Sequence, residues 1–310
     1  MNVTRAQSVT VPAAAVHRPA WRGVLEREAV WSWLMLAPPV LYLAAFVAYP
    51  FFYGVYLSLE SRPVGRPGVF VGLRNFALDL SDPVFWQVAR NTFTYTIVAT
   101  LLKAAGGLAL ALVMNQQFRL KNAVRASLLL PFIVPTVLST VAWMWIFDPT
   151  FSVINWVLVH AARLHAVPSW LGNPSLAMAS IIFVNTWRGL PFYAITLLAG
   201  LQTIPPDLYE AAAIDGAGPR QRFSYVTFPL LRPVLIIVTM FSVIFTFSDF
   251  QLVYVLTGGG PANATHLFAT YAFNIAMGGG QLGLGASVAL AMFPALLLLI
   301  MGLTLYLRKE

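Results

Sequence analysis

The sequence has 310 residues, of which 59% are hydrophobic and only 10% are charged, with a formal net charge of +8 at pH 7. Soluble globular domains carry about 25% charged residues, so this composition excludes an ordinary water-soluble fold and indicates a polytopic membrane protein. Cytoplasmic loops and lipid headgroup contacts explain the basic excess better than nucleic acid does, and we expect no nucleic-acid partner. Because the chain has no cysteine, disulfide and thiolate chemistry are excluded.

Six apolar segments follow along the chain, each close to the roughly 20 residues that a helix needs to cross a bilayer. Prolines lie inside several of them, which indicates kinked helices packed against other helices. The pattern predicts an all-α fold with six transmembrane helices, at residues 33–59, 91–114, 126–147, 176–201, 234–256 and 284–307.

The segments before and between these spans suggest a domain division and an orientation. Residues 1–30 are polar and basic and do not resemble a cleavable signal. With the N-terminus inside, twelve Lys and Arg residues lie in cytoplasmic segments and five in external ones. We expect a cytoplasmic tail at 1–30, a first transmembrane helix at 31–60, a core of five further helices at 86–307, and both termini in the cytoplasm.

Three charged residues fall inside the predicted spans: Lys103, Arg188 and Asp249. Charged groups in a bilayer are costly, and they tend to face a cavity or a partner. For Lys103 we expect a place at a helix–helix or subunit interface, either snorkelling or paired. Arg188 and Asp249 lie among aromatic and hydrogen-bonding residues, which is the composition of a sugar site. A structural ion pair between these two residues is the alternative.

The cytoplasmic loop at 204–233 contains the segment "YEAAAIDGAG". Two prolines suit the start of a helix, and the carboxylates of Asp207 and Glu210 suit its positively polarised N-terminus. The alanines favour a helix with a small face that another protein could approach closely. Gly216 ends this helix, and Pro219 begins a second, basic one. By itself the pattern does not distinguish such a docking helix from an ordinary loop that contains a helical turn.

The spacing of this loop resembles the EAA loop of binding-protein-dependent ABC importer permeases. Glu-Ala-Ala is followed by a glycine after three residues and by "VTFP" after nine more, where Val226 and Phe228 replace the usual Ile and Leu. The resemblance extends over about residues 30–305 and to the carbohydrate-uptake branch. Its glycine-rich segment is typical of the first permease subunit. The motifs that carry it are "VGLRNF", "LLLPFIVP", "NTWRGLPF", "GLQTIPPDLYEAAAIDGAG", "FPLLRP" and "VLTGGGP".

The resemblance implies a type I ABC importer (MetI-like) permease fold in the bacterial cytoplasmic (inner) membrane. It further implies a second homologous permease subunit, two ATP-binding subunits, an extracytoplasmic solute-binding protein and surrounding membrane lipid as partners. ATP and Mg would be bound by the ATP-binding subunits, and this chain would bind no cofactor. The residues that it implies for coupling to the ATPase are Glu210, Ala211, Ala212, Asp215 and Gly216.

The same resemblance implies a substrate path for a sugar, an oligosaccharide or a polyol. Relative to the maltose permease, Arg188 replaces an apolar residue and Asp249 replaces an amide, so maltose itself is not implied. A glycerol 3-phosphate or glycerophosphodiester importer is the alternative, because an arginine suits a phosphate. The implied substrate-path residues are Asn185, Arg188, Gly189, Phe192, Phe245, Thr246 and Asp249.

Two kinds of chemistry lack their motifs in this sequence. It has no G-x-x-x-x-G-K-[S/T] segment, so we expect it to hydrolyse no ATP. Its histidines are isolated and lack the spacing of metal ligands, so we expect no metal site. A membrane-embedded enzyme would need catalytic polar groups clustered at one depth. We therefore predict a transport permease and not an enzyme.

Overall fold

The computed structural model describes residues 28–117, 119–161 and 167–308. The predicted cytoplasmic tail at 1–30 lies almost entirely outside these ranges. The described helices are α1 (Glu28–Leu43), a π-helical segment (Ala44–Ala48), α2 (Tyr49–Ser58), α3 (Arg74–Ser81), α4 (Pro83–Asn115), α5 (Lys121–Ile133), α6 (Thr136–Ile146), α7 (Val153–His160), α8 (Pro174–Gln202), α9 (Pro206–Ile214), α10 (Pro219–Arg222), a second π-helical segment (Phe223–Thr227), α11 (Phe228–Phe247), α12 (Gln251–Leu256), α13 (Phe268–Phe273), a third π-helical segment (Asn274–Gly278) and α14 (Leu282–Arg308).

The all-α prediction is confirmed, with one small addition. A two-residue strand, β1 (Glu60–Ser61), pairs antiparallel with β2 (Val69–Phe70), so that Glu60 faces Phe70. Within the described ranges, five helices are long and apolar enough to cross a membrane, and the bent pair α5–α6 supplies a sixth span if it is counted as one. These are the six predicted spans.

Two predicted spans are interrupted. The third bends by 94° between α5 and α6. There Val134 is extended, as the residue before a proline prefers to be, and Pro135 precedes the next helix with no N–H of its own to continue the ladder. The prediction that the fifth span continues to residue 256 is wrong. Helix α11 ends at Phe247, and the chain turns at Ser248 before α12 begins.

The chain divides into two compact units, one up to Tyr53 and one from Gly54 onwards. The first contains α1 and the start of α2, and its apolar side chains, such as Trp33 and Met35, are exposed all round this helix. Such a surface is typical of a helix that lies against lipid or another membrane protein.

In the second unit, the long helices α4 and α8 pack against each other and form its centre. A Cβ at Gly107 would overlap the Tyr193 side chain, so the glycine allows the two helices to approach closely. Tyr95, Tyr193 and Leu197 are fully buried along this contact. Helix α11 packs beside them and completes the framework that holds the site described below.

A glycine-rich loop joins α12 to α13. Gly258 and Gly259 have positive φ angles of 60° and 90°, which a residue with a side chain rarely adopts. A Cβ at Gly259 would also overlap the ring of His266. Asn91, on α4, donates hydrogen bonds to the carbonyls of Asn263 and His266 at 3.0 and 3.3 Å, which fixes the loop against that helix.

Candidate functional site

A cavity of about 470 Å³ lies among α4, α5, α6, α8, α11 and α12. All seven residues predicted for the substrate path line it: Asn185, Arg188, Gly189, Phe192, Phe245, Thr246 and Asp249. They come from α8, from the end of α11 and from the turn that follows it. The other lining residues are Lys103, Phe132, Thr136, Tyr193, Ser242, Ser248, Phe250 and Gln251.

The break in the fifth span places Asp249 at the cavity. Ser248 turns back and donates its Oγ hydrogen to the carbonyl of Ile244 at 2.7 Å. The carboxylate of Asp249 then accepts a hydrogen bond from the backbone N–H of Leu252, at 3.3 Å, in the first turn of α12. The first N–H groups of a helix have no partner within it, so a carboxylate just before α12 stabilises the start of this helix. Asp249 therefore favours a break at this position, and it lines the cavity there.

A chain of buried hydrogen bonds connects three helices behind the cavity wall. Lys103 Nζ, on α4, donates to Asn185 Oδ1 at 2.9 Å and to Thr246 Oγ1 at 2.7 Å. Asn185 Nδ2 donates in turn to Asp249 Oδ2 at 3.1 Å, and the Tyr95 hydroxyl donates to the same oxygen at 2.8 Å. The amide of Asn185 therefore bridges a buried cation and a carboxylate.

The position of Lys103 agrees with a paired residue at a helix–helix interface. Its side chain is 4% exposed and also lines the cavity, a role that the sequence did not suggest. Tyr95 was missed as well, although it precedes Lys103 by eight residues and so lies on the same side of α4, about two turns away. No feature of the sequence shows which face of α4 meets α8, so this pair could not be found without the fold.

Arg188 and Asp249 do not form the ion pair that was considered as an alternative. An ion pair among the described residues joins Arg62 to Glu60, with 3.4 Å between nitrogen and oxygen, and neither Arg188 nor Asp249 takes part in it. Arg188 is half-buried, and its buried Nε has no hydrogen-bond partner among the described residues. The aspartate is held by Tyr95, Asn185 and a backbone amide, whereas the guanidinium lines the cavity.

Aromatic rings supply the apolar part of the cavity. Phe192 stacks on Phe132 with the ring centroids 6.1 Å apart, and Phe245 stacks on Phe241 at 6.4 Å. Phe245 is 68% exposed. Flat aromatic faces beside a few fixed polar groups are suited to the C–H and O–H surfaces of a sugar.

The loop at 204–233 folds as two short helices, as predicted. Helix α9 ends in a Schellman motif, in which Ala217 N–H donates to the carbonyl of Ala212 at 2.8 Å and Gly216 N–H donates to that of Ala213 at 3.1 Å. Gly216 has a φ of +76°, which explains the glycine. After Gly218, helix α10 begins with a proline.

The outer surface of α9 is free of contacts within the described chain. Glu210, Ala211, Asp215 and Gly216 are exposed, and Ala212 is half-buried. The opposite side of the helix is attached to the second unit through Tyr209, whose hydroxyl lies 3.1 Å from Thr227 Oγ1, and which packs in the same cluster as Leu197 and Leu201. Consequently α9 presents its predicted coupling residues outward and is anchored to the core on its other side.

Residues 103–309 match the protein family described as binding-protein-dependent transport system inner membrane component. The chain belongs to this family. It is therefore a multi-pass membrane protein and an importer permease, which is a transport component and not an enzyme.

Relatives of the chain carry sugar-transport names. It is 37% identical over 273 residues to the trehalose/maltose transport system permease protein MalF of Thermococcus litoralis, covering 87% of this chain and 91% of the relative. It is 34% identical over 278 residues to the sulfoquinovosyl glycerol transport system permease protein SmoG of Agrobacterium fabrum, covering 89% and 90%.

A solved structure confirms the predicted fold. A chain from a bacterial ABC transporter involved in the import of the acidic polysaccharide alginate superposes with a TM-score of 0.80 at 20% identity, covering 93% of this chain and 98% of that one. The MetNI methionine ABC transporter matches with a TM-score of 0.53 at 19% identity, covering 74% of this chain and 98% of that one. The chain has the type I importer permease fold.

Proposed function

We propose that this chain is one of two permease subunits of an ATP-driven importer for a sugar, an oligosaccharide or a polyol. The observation that carries the proposal is the cavity, because seven residues expected to contact a sugar line one space of about 470 Å³. This volume is within the range of small-molecule sites, and the walls combine aromatic rings with hydrogen-bonding groups. The sugar-transport names of the relatives support the same class of solute.

Energy for transport comes, in this proposal, from two separate ATP-binding subunits that hold ATP and Mg. Helix α9 is the contact with one of them. The exposed carboxylate of Glu210 binds a basic group of that subunit, and the small side chains of Ala211 and Ala212 allow its backbone to approach closely. Asp215 caps the helix and Gly216 sets the angle to α10. Movement of α9 reaches the core through Tyr209 and Thr227.

The remaining partners in this proposal are those that the resemblance to ABC importer permeases implies. A second, homologous permease subunit supplies the other half of the path, and lipid covers the rest of the apolar surface. An extracytoplasmic solute-binding protein delivers the solute. The tail at 1–30, the loop at 204–233 and the C-terminus lie on the cytoplasmic side of the inner membrane, so a reporter fused after residue 310 would be active in the cytoplasm.

The test is ATP-dependent uptake in proteoliposomes that contain this chain, its partner permease and the ATP-binding subunits, with the solute-binding protein outside. Labelled trehalose, maltose and a polyol such as sorbitol are the probes. We expect uptake of at least one probe that requires ATP inside the vesicle and the binding protein outside. This chain purified alone should hydrolyse no ATP. Uptake of none of a broad panel of carbohydrates by an assembled complex that is active as an ATPase would overturn the proposed solute class.

A further inference from the structure

The charged groups that face the cavity differ in how far the protein itself satisfies them. Asp249 accepts hydrogen bonds from Tyr95 and Asn185 on one oxygen and from the backbone N–H of Leu252 on the other. Lys103 donates to Asn185 and to Thr246. The amide of Asn185 thus links the ammonium of Lys103 to the carboxylate of Asp249, and these two opposite charges compensate each other through it.

Arg188 is the charged residue of the cavity lining that takes no part in this hydrogen-bond network. It follows Asn185 by three residues on α8, so both side chains lie on the same face of that helix. Its guanidinium has five N–H donors, and it forms no ion pair or hydrogen bond with another residue in the described ranges. The cavity lining holds two cations and one carboxylate, which leaves one positive charge in excess.

We infer that Arg188 binds an anionic group of the solute, a carboxylate, a sulfonate or a phosphate carried on a sugar or polyol. The inference rests on the proposed function, since it concerns the same cavity. A planar guanidinium matches such groups with two parallel hydrogen bonds. In a cavity with apolar walls the attraction is stronger than in water. The carboxylate of Asp249 attracts Arg188 from nearby but accepts no hydrogen bond from it, so a neutral solute leaves the guanidinium without a hydrogen-bonded counter-ion. The aromatic rings of Phe192 and Phe245 remain available for the sugar body.

The experiment compares uptake of neutral and anionic probes by the complete transporter in proteoliposomes with its solute-binding protein. Glucose and maltose are the neutral probes, and glucuronate, glucose 6-phosphate and 6-deoxy-6-sulfoglucose are the anionic ones. The anionic arms distinguish a carboxylate, a phosphate and a sulfonate. Loading of the binding protein is measured separately for each probe, and uptake is normalised to the loaded fraction. Arg188→Gln and Arg188→Lys are compared with Arg74→Gln, which changes an exposed arginine on α3.

The wild type should transport one anionic probe at least about tenfold faster than the neutral ones, which corresponds to one charge-assisted pair of hydrogen bonds. Arg188→Gln should remove that preference, Arg188→Lys should retain part of it, and Arg74→Gln should keep all of it. Preference for neutral probes by the wild type, or an unchanged preference in Arg188→Gln, would overturn the inference while the proposed function stands. If neither Arg188 variant assembles into a complete transporter, the preference of the wild type for anionic or for neutral probes supports or overturns the inference. Uptake of no probe would contradict the proposed function itself.

Discussion

The buried network behind the cavity predicts strong coupling between two residues that do not touch. Lys103→Met replaces a buried ammonium with an apolar chain of similar length. It removes hydrogen bonds of 2.9 and 2.7 Å and leaves the carboxylate of Asp249 without the cation to which Asn185 links it. Removal of one partner of a buried charge pair costs about 3 kcal/mol, so we expect that loss in the free energy of unfolding. Asp249→Asn should cost a similar amount, because it leaves Lys103 uncompensated.

The double variant Lys103→Met/Asp249→Asn removes both charges together. It should therefore be more stable than the sum of the single effects predicts, by at least about 2 kcal/mol. Reversible unfolding of the detergent-solubilised protein measures all three variants. The control is Lys121→Met, since this lysine hydrogen-bonds Gln117 on the exposed surface and should change stability by less than about 0.5 kcal/mol. Additivity within about 0.5 kcal/mol would refute the bridging role of Asn185.

Three further predictions concern the loop at 204–233 and a buried carboxylate on α3. Gly216 has a φ of +76° and free space around it, so Gly216→Ala should cost about 1 kcal/mol of local strain and reduce the amount of solute transported per ATP hydrolysed. The control Gly218→Ala, at a φ of −70°, should change neither the strain nor this ratio. Glu210→Ala should reduce transport severalfold and weaken co-purification of the ATP-binding subunits; equal effects of Asp207→Ala would argue for general charge instead of a specific contact. Burial raises the pKa of Asp79 to about 6, so this carboxyl binds a proton more tightly in the folded protein than in the unfolded chain. The stability that the protonated carboxyl contributes is therefore lost as the pH rises from about 4 to about 6. Asp79→Asn should flatten this part of the curve of unfolding free energy against pH, and an unchanged curve would contradict the assignment.

The membrane spans and helix α9 could be predicted because each depends on local sequence. A run of about 20 apolar residues has few alternatives to a spanning helix. The stop at Gly216 follows from a short-range rule, since the Schellman motif needs a residue that tolerates positive φ.

Two features of the fold depend on tertiary packing and were not predicted. Pro135 indicated a kink but not the size of the bend, which is 94° between α5, packed against α8, and α6, packed against α12. The interruption after Phe247 has no glycine or proline to mark it, and Asp249 supports it only through the start of α12. Within the site, the resemblance indicated residues on α8 and α11. Lys103 was assigned to an interface on the cost of a buried charge alone, and its place at the cavity was not predicted because its hydrogen-bond partners, Asn185 and Thr246, lie on other helices.

The central claim is that the cavity is the path of the solute, and the absence of cysteine from the chain permits a direct test. Phe245→Cys places one thiol on the lining, and Phe183→Cys places one on an exposed part of α8 outside it. We expect a membrane-impermeant thiol reagent to modify the Phe245→Cys variant from one side of the membrane in the resting transporter and from the other side when ATP binding is trapped, with protection by the transported solute. Modification of the Phe183→Cys variant should depend neither on nucleotide nor on the presence of the solute. Modification of the Phe245→Cys variant that is independent of nucleotide and solute would contradict the claim.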